Sequence, residues 1–260
     1  MRLSGRTTSV IARLSAFGFA FRSVRGIGRI VAAVFRRRSG RFGVALVAGY
    51  LLGTFPTADI VARRAGHDLR NEGSGNPGGA NAMKVVGTSA GVQVMGGDIA
   101  KGAAASMLGG ALAGPAAAHL AGTAAVAGHC HPIWNGGRGG KGVAASVGQC
   151  LATFPAYFPI DAAIATATAA VPAWKQRAFA ATAVSSACWV VGGVVWWRTG
   201  WRNLWGPRPT VTLPVSAALS SALIIERFLA AGPVVTDADP AASPDGRTAG
   251  RVPSAVVASS

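Results

Sequence analysis

The fold class that this sequence predicts is an all-α, polytopic transmembrane bundle of about seven helices, some short or broken. Three observations predict it. Half of the 260 residues are hydrophobic, and mean hydropathy is +0.39. Only 13% are charged, against about 25% in an ordinary soluble domain. The apolar residues also gather in blocks, several of them near the roughly 20 residues that a helix needs to cross a hydrocarbon core of about 30 Å.

Taken in order, residues 1–41 form a basic arm with ten Arg, among them Arg13, Arg22, Arg25, Arg29 and the run Arg36-Arg37-Arg38. It is too charged to span. It reads either as a basic amphipathic helix on an anionic membrane surface or as a disordered extension. No compact apolar segment follows the first Arg residues, so a cleaved signal peptide is not indicated. Residues 42–230 form the membrane domain. Within it, 42–62 is a span carrying Asp59, and 86–100 is a short helix ending on Asp98 that packs inside the bundle. Residues 103–128 form a span, and 143–171 is split by Pro155 and Pro159 into two short helices. Spans at 178–197 and 211–230 complete the set, the last ending on Glu226-Arg227. Gly109-Gly110 and Gly114 let helix backbones approach closely in lipid. Residues 231–260 turn to Pro, Ala, Ser and Asp and read as a disordered tail.

The formal charge of +16 is concentrated in the arm, since 42–230 holds thirteen Lys or Arg against six acids. A nucleic-acid partner is therefore not expected. Cys130, Cys150 and Cys188 lie far apart in apolar surroundings and read as small buried hydrophobes. His129-Cys130-His131 has no second ligand pair at metal spacing. Neither metal nor cofactor is expected.

Three glycine-rich stretches sit at the edges of the apolar blocks: Gly73-Ser74-Gly75-Asn76-Pro77-Gly78-Gly79-Ala80-Asn81, Asp98-Ile99-Ala100-Lys101-Gly102, and Gly128-His129 running through Arg138-Gly139-Gly140-Lys141-Gly142-Val143. Glycine removes the side chain that would keep an anion from backbone N–H groups, and Ser, Asn, Lys and Arg are the usual phosphate donors. Gly73-x-Gly75-x-x-Gly78 matches a dinucleotide fingerprint by letter only, because polar residues precede it and Pro77 interrupts it. Gly140-Lys141 fails as a P-loop, with Asn135 at the first glycine position and Gly142 after the lysine. Asp98 and Lys101, one helical turn apart, form a pair or serve a substrate.

These stretches resemble the PlsY family, integral-membrane glycerol-3-phosphate acyltransferases that use acyl phosphate. Its motifs run G-S-G-N-P-G-A-T-N, D-x-x-K-G, and G-H-x-x-P followed by F-x-G-G-K-G-V-A. Here they correspond to Gly73–Asn81, Asp98–Gly102, and Gly128-His129-Cys130-His131-Pro132 followed by Arg138–Ala144. The resemblance covers about 42–230, including Gly53-Thr54-Phe55-Pro56 and Asp68-Leu69-Arg70. It implies that Ser74, Lys101 and Lys141 carry catalysis. Gly73, Gly75, Asn76, Asn81, Lys84, Asp98, His129, Arg138, Gly139, Gly140 and Gly142 are then the substrate-binding set, and Ser74, Asn76, Lys101 and Lys141 converge on one anion. The implied partners are glycerol 3-phosphate, acyl phosphate and membrane lipids. The implied product is lysophosphatidic acid for phospholipid synthesis, made at the cytoplasmic face of a bacterial membrane.

An acyl phosphate is already an activated anhydride, so placement and charge stabilisation can suffice for transfer. The sequence accordingly lacks the H-x-x-x-x-D pair of other glycerolipid acyltransferases, with His67 and Glu72 the one near match. Departures from the family are Gly79-Ala80 for Ala-Thr, Lys84 for Arg, and Lys175–Phe179 and Glu226–Ala230 where the family carries a Ser and an H-x-x-N-I pattern. Arg177 or Arg227 is either a substitute anion donor or an anchor at the membrane boundary. Alternatives are a divergent relative with another donor or acceptor, or a non-catalytic transporter or lipid-binding protein. The resemblance puts the motifs inside and the N-terminus outside, whereas an Arg-rich arm favours the inside. In that case 42–62 re-enters, or the true start lies near Phe42.

Overall fold

The structure, a computed structural model, describes residues 39–232. Most of the basic arm and nearly all of the tail lie outside the described residues. Among the described residues every regular element is helical: α1 (39–53), α2 (Thr57–Arg64), α3 (Gly79–Val85), α4 (Thr88–Ala113), α5 (Pro115–Cys130), a 3-10 turn (Ile133–Asn135), α6 (Val143–Thr153), α7 (Phe158–Ala170), α8 (Arg177–Thr199) and α9 (Thr212–Ala231). Three stretches are long and apolar enough to cross a membrane: Ser39–Arg64, Arg177–Thr199 and Thr212–Ala231.

Several boundaries differ from the sequence expectation. The 42–62 block breaks at Thr54–Pro56, where proline stops α1 and α2 begins. The expected short helix 86–100 and span 103–128 are instead α4, continuous through Asp98 and Lys101, and α5. Asp98 and Lys101 pair with each other on one face of α4, so the charges do not end the helix. The break falls at Gly114, whose φ of +83° suits glycine, followed by Pro115 at the first turn of α5. A further helix, α3, begins inside the first motif and runs four residues beyond it. The split at Pro155 is as expected, with Pro159 tolerated in the first turn of α7.

Helix contacts rest on small residues. A Cβ on Gly49 or Gly53 would strike the backbone of Ala121 or Ala125, which sets α1 parallel to α5. Gly102 meets Ala145 and Gly148 meets Ile99 in the same manner, which sets α4 antiparallel to α6. The interior is largely alanine, while Val44, Val47, Leu51, Met107, Val191 and Leu219 point outward. Small residues inside and larger apolar ones outside suit a bundle solvated by lipid, where close packing replaces hydrophobic collapse. An aromatic cluster anchors α6, α7 and α8: Phe154 stacks on Tyr157 at 5.0 Å and meets Trp196 edge-on at 5.3 Å. The start of α1 lies beside the α4–α5 turn, and its other end lies beside Gly128 of α5. α1 therefore runs alongside α5 from the α4–α5 turn to the end that carries Gly128.

Between α5, α6 and α9 runs a sealed, neutral polar chain. Gln149 Nε2 donates to Thr123 Oγ1 at 3.1 Å, and Ser220 Oγ donates to Gln149 Oε1 at 2.8 Å. His119 Nδ1 shares a hydrogen bond with Thr212 Oγ1 at 2.7 Å. In lipid these bonds tie helices together because no water competes for the groups.

Candidate active site

α4 presents Asp98 and Lys101 one turn apart, and α5 delivers His129 at its last turn. Lys101 Nζ lies 2.9 Å from Asp98 Oδ1 and donates to the Phe55 carbonyl at 3.2 Å. His129 Nδ1 lies 3.5 Å from the same carboxylate oxygen. Asp98, Lys101 and His129 are 2%, 8% and 9% exposed, so an ionisable triad is packed at the floor of a cleft. Thr54, Phe55, Arg70, Pro77, Gly139 and Gly140 are among the residues lining it. Arg70 holds the rim, with Nη2 on Asp59 Oδ2 at 3.0 Å and Nη1 on the Arg138 carbonyl at 2.6 Å. The Trp134 indole donates to Thr54 Oγ1, a lining residue, at 3.0 Å.

The third glycine stretch folds back on α5. The Gly139 and Gly140 N–H groups donate to the Cys130 and His129 carbonyls at 3.0 and 3.2 Å. A Cβ on Gly139 would collide with the His129 carbonyl, and one on Gly140 with the His129 ring. These glycines therefore bring the loop against the helix end; their N–H groups are not free for an anion, contrary to the sequence expectation. Gly142, with φ +86°, turns the chain into α6. Lys141 is half-buried with Nζ 4.3 Å from the centre of the Phe228 ring, a cation–π contact. Burial lowers its pKa from the ordinary lysine value.

The first glycine stretch is organised by Asn81. Its Oδ1 accepts from the Ser74 N–H at 2.9 Å, and its Nδ2 donates to the Leu69 and Glu72 carbonyls, both at 3.0 Å. Gly73 and Gly75 take φ of +61° and +68°, the left-handed region that leaves room for this turn. Nearby, His67 Nδ1 lies 2.8 Å from Glu72 Oε2. The Asp68 N–H donates to Glu72 Oε1 at 2.7 Å, and this bond, with His67, lowers the Glu72 pKa.

The glycerol-3-phosphate acyltransferase family matches residues 43–230 of this sequence. The chain belongs to that family. Among similar proteins, a glycerol-3-phosphate acyltransferase of Exiguobacterium sibiricum is 45% identical over 114 residues, 44% of this chain and 55% of that protein. One of Syntrophotalea carbinolica is 36% identical over 139 residues, 52% of this chain and 69% of that protein. The chain thus spans little more than half the length of the first of these relatives. The crystal structure of PlsY, an integral membrane glycerol 3-phosphate acyltransferase, in its glycerol 3-phosphate form superposes with a TM-score of 0.59 at 28% identity, covering 72% of this chain and 87% of that one. Its lysophosphatidic acid form gives 0.58 at 26% identity. This protein is accordingly an all-helical integral membrane member of the acyltransferase family.

Within this family member the cleft gathers Asp98, Lys101, His129, Gly139 and Gly140 from stretches that are distant in sequence. Ser74, Asn76, Lys84, Arg138 and Lys141 are not among its lining side chains. Ser74, Lys84 and Arg138 are exposed, and Asn76 and Lys141 are half-buried in the flanking loops. Of Ser74, Asn76, Lys101 and Lys141, expected to converge on one anion, only Lys101 lines this cleft. Asn81, expected to bind substrate, is committed to the loop backbone. Arg227, a candidate anion donor, instead donates Nη2 to the Gly139 carbonyl at 2.8 Å and Nε to that of Gly140 at 3.4 Å. Arg177 is exposed at the start of α8. Arg70, Asp59 and Thr54 were not singled out as site residues. The segments Asp68-Leu69-Arg70 and Gly53-Thr54-Phe55-Pro56 are the sequence signal for Arg70 and Thr54, and Asp59 is marked only as an acid within the 42–62 block.

Proposed function

We propose that the protein transfers an acyl group from acyl phosphate to the 1-hydroxyl of glycerol 3-phosphate, giving lysophosphatidic acid and phosphate. The observation that carries this reading is the buried Asp98–Lys101–His129 cluster beneath the glycine loops of the other two family motifs. Lys101, oriented by Asp98, and Lys141, on the adjoining loop, neutralise phosphate charge. Ser74 and Asn76, on the loop braced by Asn81, hold the acceptor, with Lys84 and Arg138 as exposed cations that draw anions to the loops. Attack of the hydroxyl forms the ester bond and breaks the acyl–phosphate bond, with the departing phosphate taking the proton. Charge stabilisation at the leaving phosphate is the main demand on the protein, because the donor is already activated.

The loops face the cytoplasm of a bacterial cell in this reading, where a phosphorylated acceptor that cannot cross lipid is made. The deciding experiment supplies purified protein in lipid with acyl phosphate and glycerol 3-phosphate, separately and together. Lysophosphatidic acid should form, with phosphate release that needs both substrates. Equal rates with acyl-CoA would reject the donor, and acceptor-independent phosphate release would reject the transfer.

A further inference from the structure

Three consecutive residues in the last two turns of α9 each contact a different part of the α5–α6 loop. Glu226 Oε2 lies 3.1 Å from His131 Nε2 at the start of that loop. Arg227 holds the Gly139 and Gly140 carbonyls, and Phe228 lies beneath Lys141 with its ring 5.7 Å from that of Phe179. Successive side chains leave a helix about 100° apart, so the loop wraps the helix end. The helix itself is anchored one turn earlier, where Ile224 packs with Val126, Cys130 and Ala145.

The loop needs such a grip. Gly136 and Gly137 take φ of +59° and +75°, and a glycine-rich segment loses more conformational freedom on ordering than any other. The Gly139 and Gly140 N–H groups are fixed by α5 carbonyls and their carbonyls by a guanidinium, whose rigid fork can serve two acceptors at once. Both sides of the dipeptide before Lys141 are thereby held.

We infer that Glu226, Arg227 and Phe228 form a clamp that positions the glycine loop and Lys141, with Arg227 as its principal positioning residue. This rests on the acyl-transfer reading for its consequence, which is control of the KM for the phosphate-bearing acceptor, but not for its geometry. Arg227 touches loop backbone rather than reacting atoms, so its loss should act on binding more than on turnover.

The test pairs hydrogen exchange with kinetics on the full chain in lipid. Arg227→Gln should speed exchange across 136–142 by about tenfold or more, while α4 and α5 keep their protection. It should raise the glycerol 3-phosphate KM by about tenfold with kcat within about threefold, on the scale of a lost charge-assisted bond. Arg227→Lys keeps the charge without the fork and should fall between; it also serves if the Gln variant does not fold. Unchanged loop exchange in the variant that folds overturns the clamp. Faster exchange with unchanged KM overturns its role in positioning. Were the parent protein inactive with glycerol 3-phosphate, the acyl-transfer reading would fail, and exchange would still decide the clamp.

Discussion

The bundle contains two buried polar clusters that differ in kind. At the motif end, Asp98, Lys101 and His129 are ionisable, mutually paired and open to a cleft. Between α5, α6 and α9, Gln149, Thr123, Ser220 and His119 are buried and hydrogen-bonded, and none of them lines the cleft. Both place polar side chains where water is scarce. Only the first holds a cation beside an opening, so only the first can meet a charged substrate; the second can only join helices. Burial of polar groups does not by itself mark a site; charge with access does.

Removing one partner of the ionisable cluster should give the largest effect. Lys101→Met leaves Asp98 buried without its cation, a loss of about 3–5 kcal/mol of stability for a broken buried pair, and should cut turnover more than a hundredfold. The double variant Asp98→Asn with Lys101→Met should regain thermal stability but not turnover. Full activity in that double variant would show the cluster to be structural, like its neutral counterpart.

Next comes Lys141, whose loss to Ala should lower kcat/KM for glycerol 3-phosphate about tenfold or more. Its depressed pKa gives the comparison a pH handle. The protonated amine is the useful form, so activity should fall as pH rises through a pKa below the ordinary lysine value. Lys141→Arg should move that alkaline limb to higher pH. A limb that stays in place belongs to another group.

Gln149→Leu tests the neutral cluster from the other side. It removes partners from Thr123 and Ser220 and should cost about 1–3 kcal/mol of stability, with KM unchanged. A large KM change would mean that the sealed chain communicates with the cleft.

The smallest effect is expected at the exposed His67–Glu72 pair. Glu72→Gln should change turnover less than about threefold. Because hydrogen bonds from Asp68 and His67 depress the Glu72 pKa, the contribution of its charge to loop order is present above the ordinary carboxylate pKa and is lost as pH falls through the depressed value. A collapse of turnover in Glu72→Gln would instead make the pair a general-base dyad.

Much of the framework is legible in the sequence, because the bilayer imposes a one-dimensional rule on length and apolarity. The blocks ending in α8 and α9 and the proline split between α6 and α7 follow from it. The rule fails at α4, where Asp98 and Lys101 read as a helix end; a pair that neutralises itself on one helix face needs no terminus. The Asp98–Lys101 contact is legible, since an i,i+3 spacing is local. The loop contacts of Asn81 and Arg227 are not, since a phosphate ligand and a backbone brace call for the same donors.

The sequence by itself determined the membrane class, the break between α6 and α7, the spacing that lets Asp98 meet Lys101 and the family to which the motifs belong. These are properties of composition, local spacing and short linear patterns. Tertiary structure alone decided that His129 joins that pair, that Arg70 rims the cleft, that Gly139 and Gly140 serve close approach, and that α9 grips the loop. Each of these depends on which backbone stands opposite a residue many positions away, and packing of whole helices, rather than any local preference, sets that.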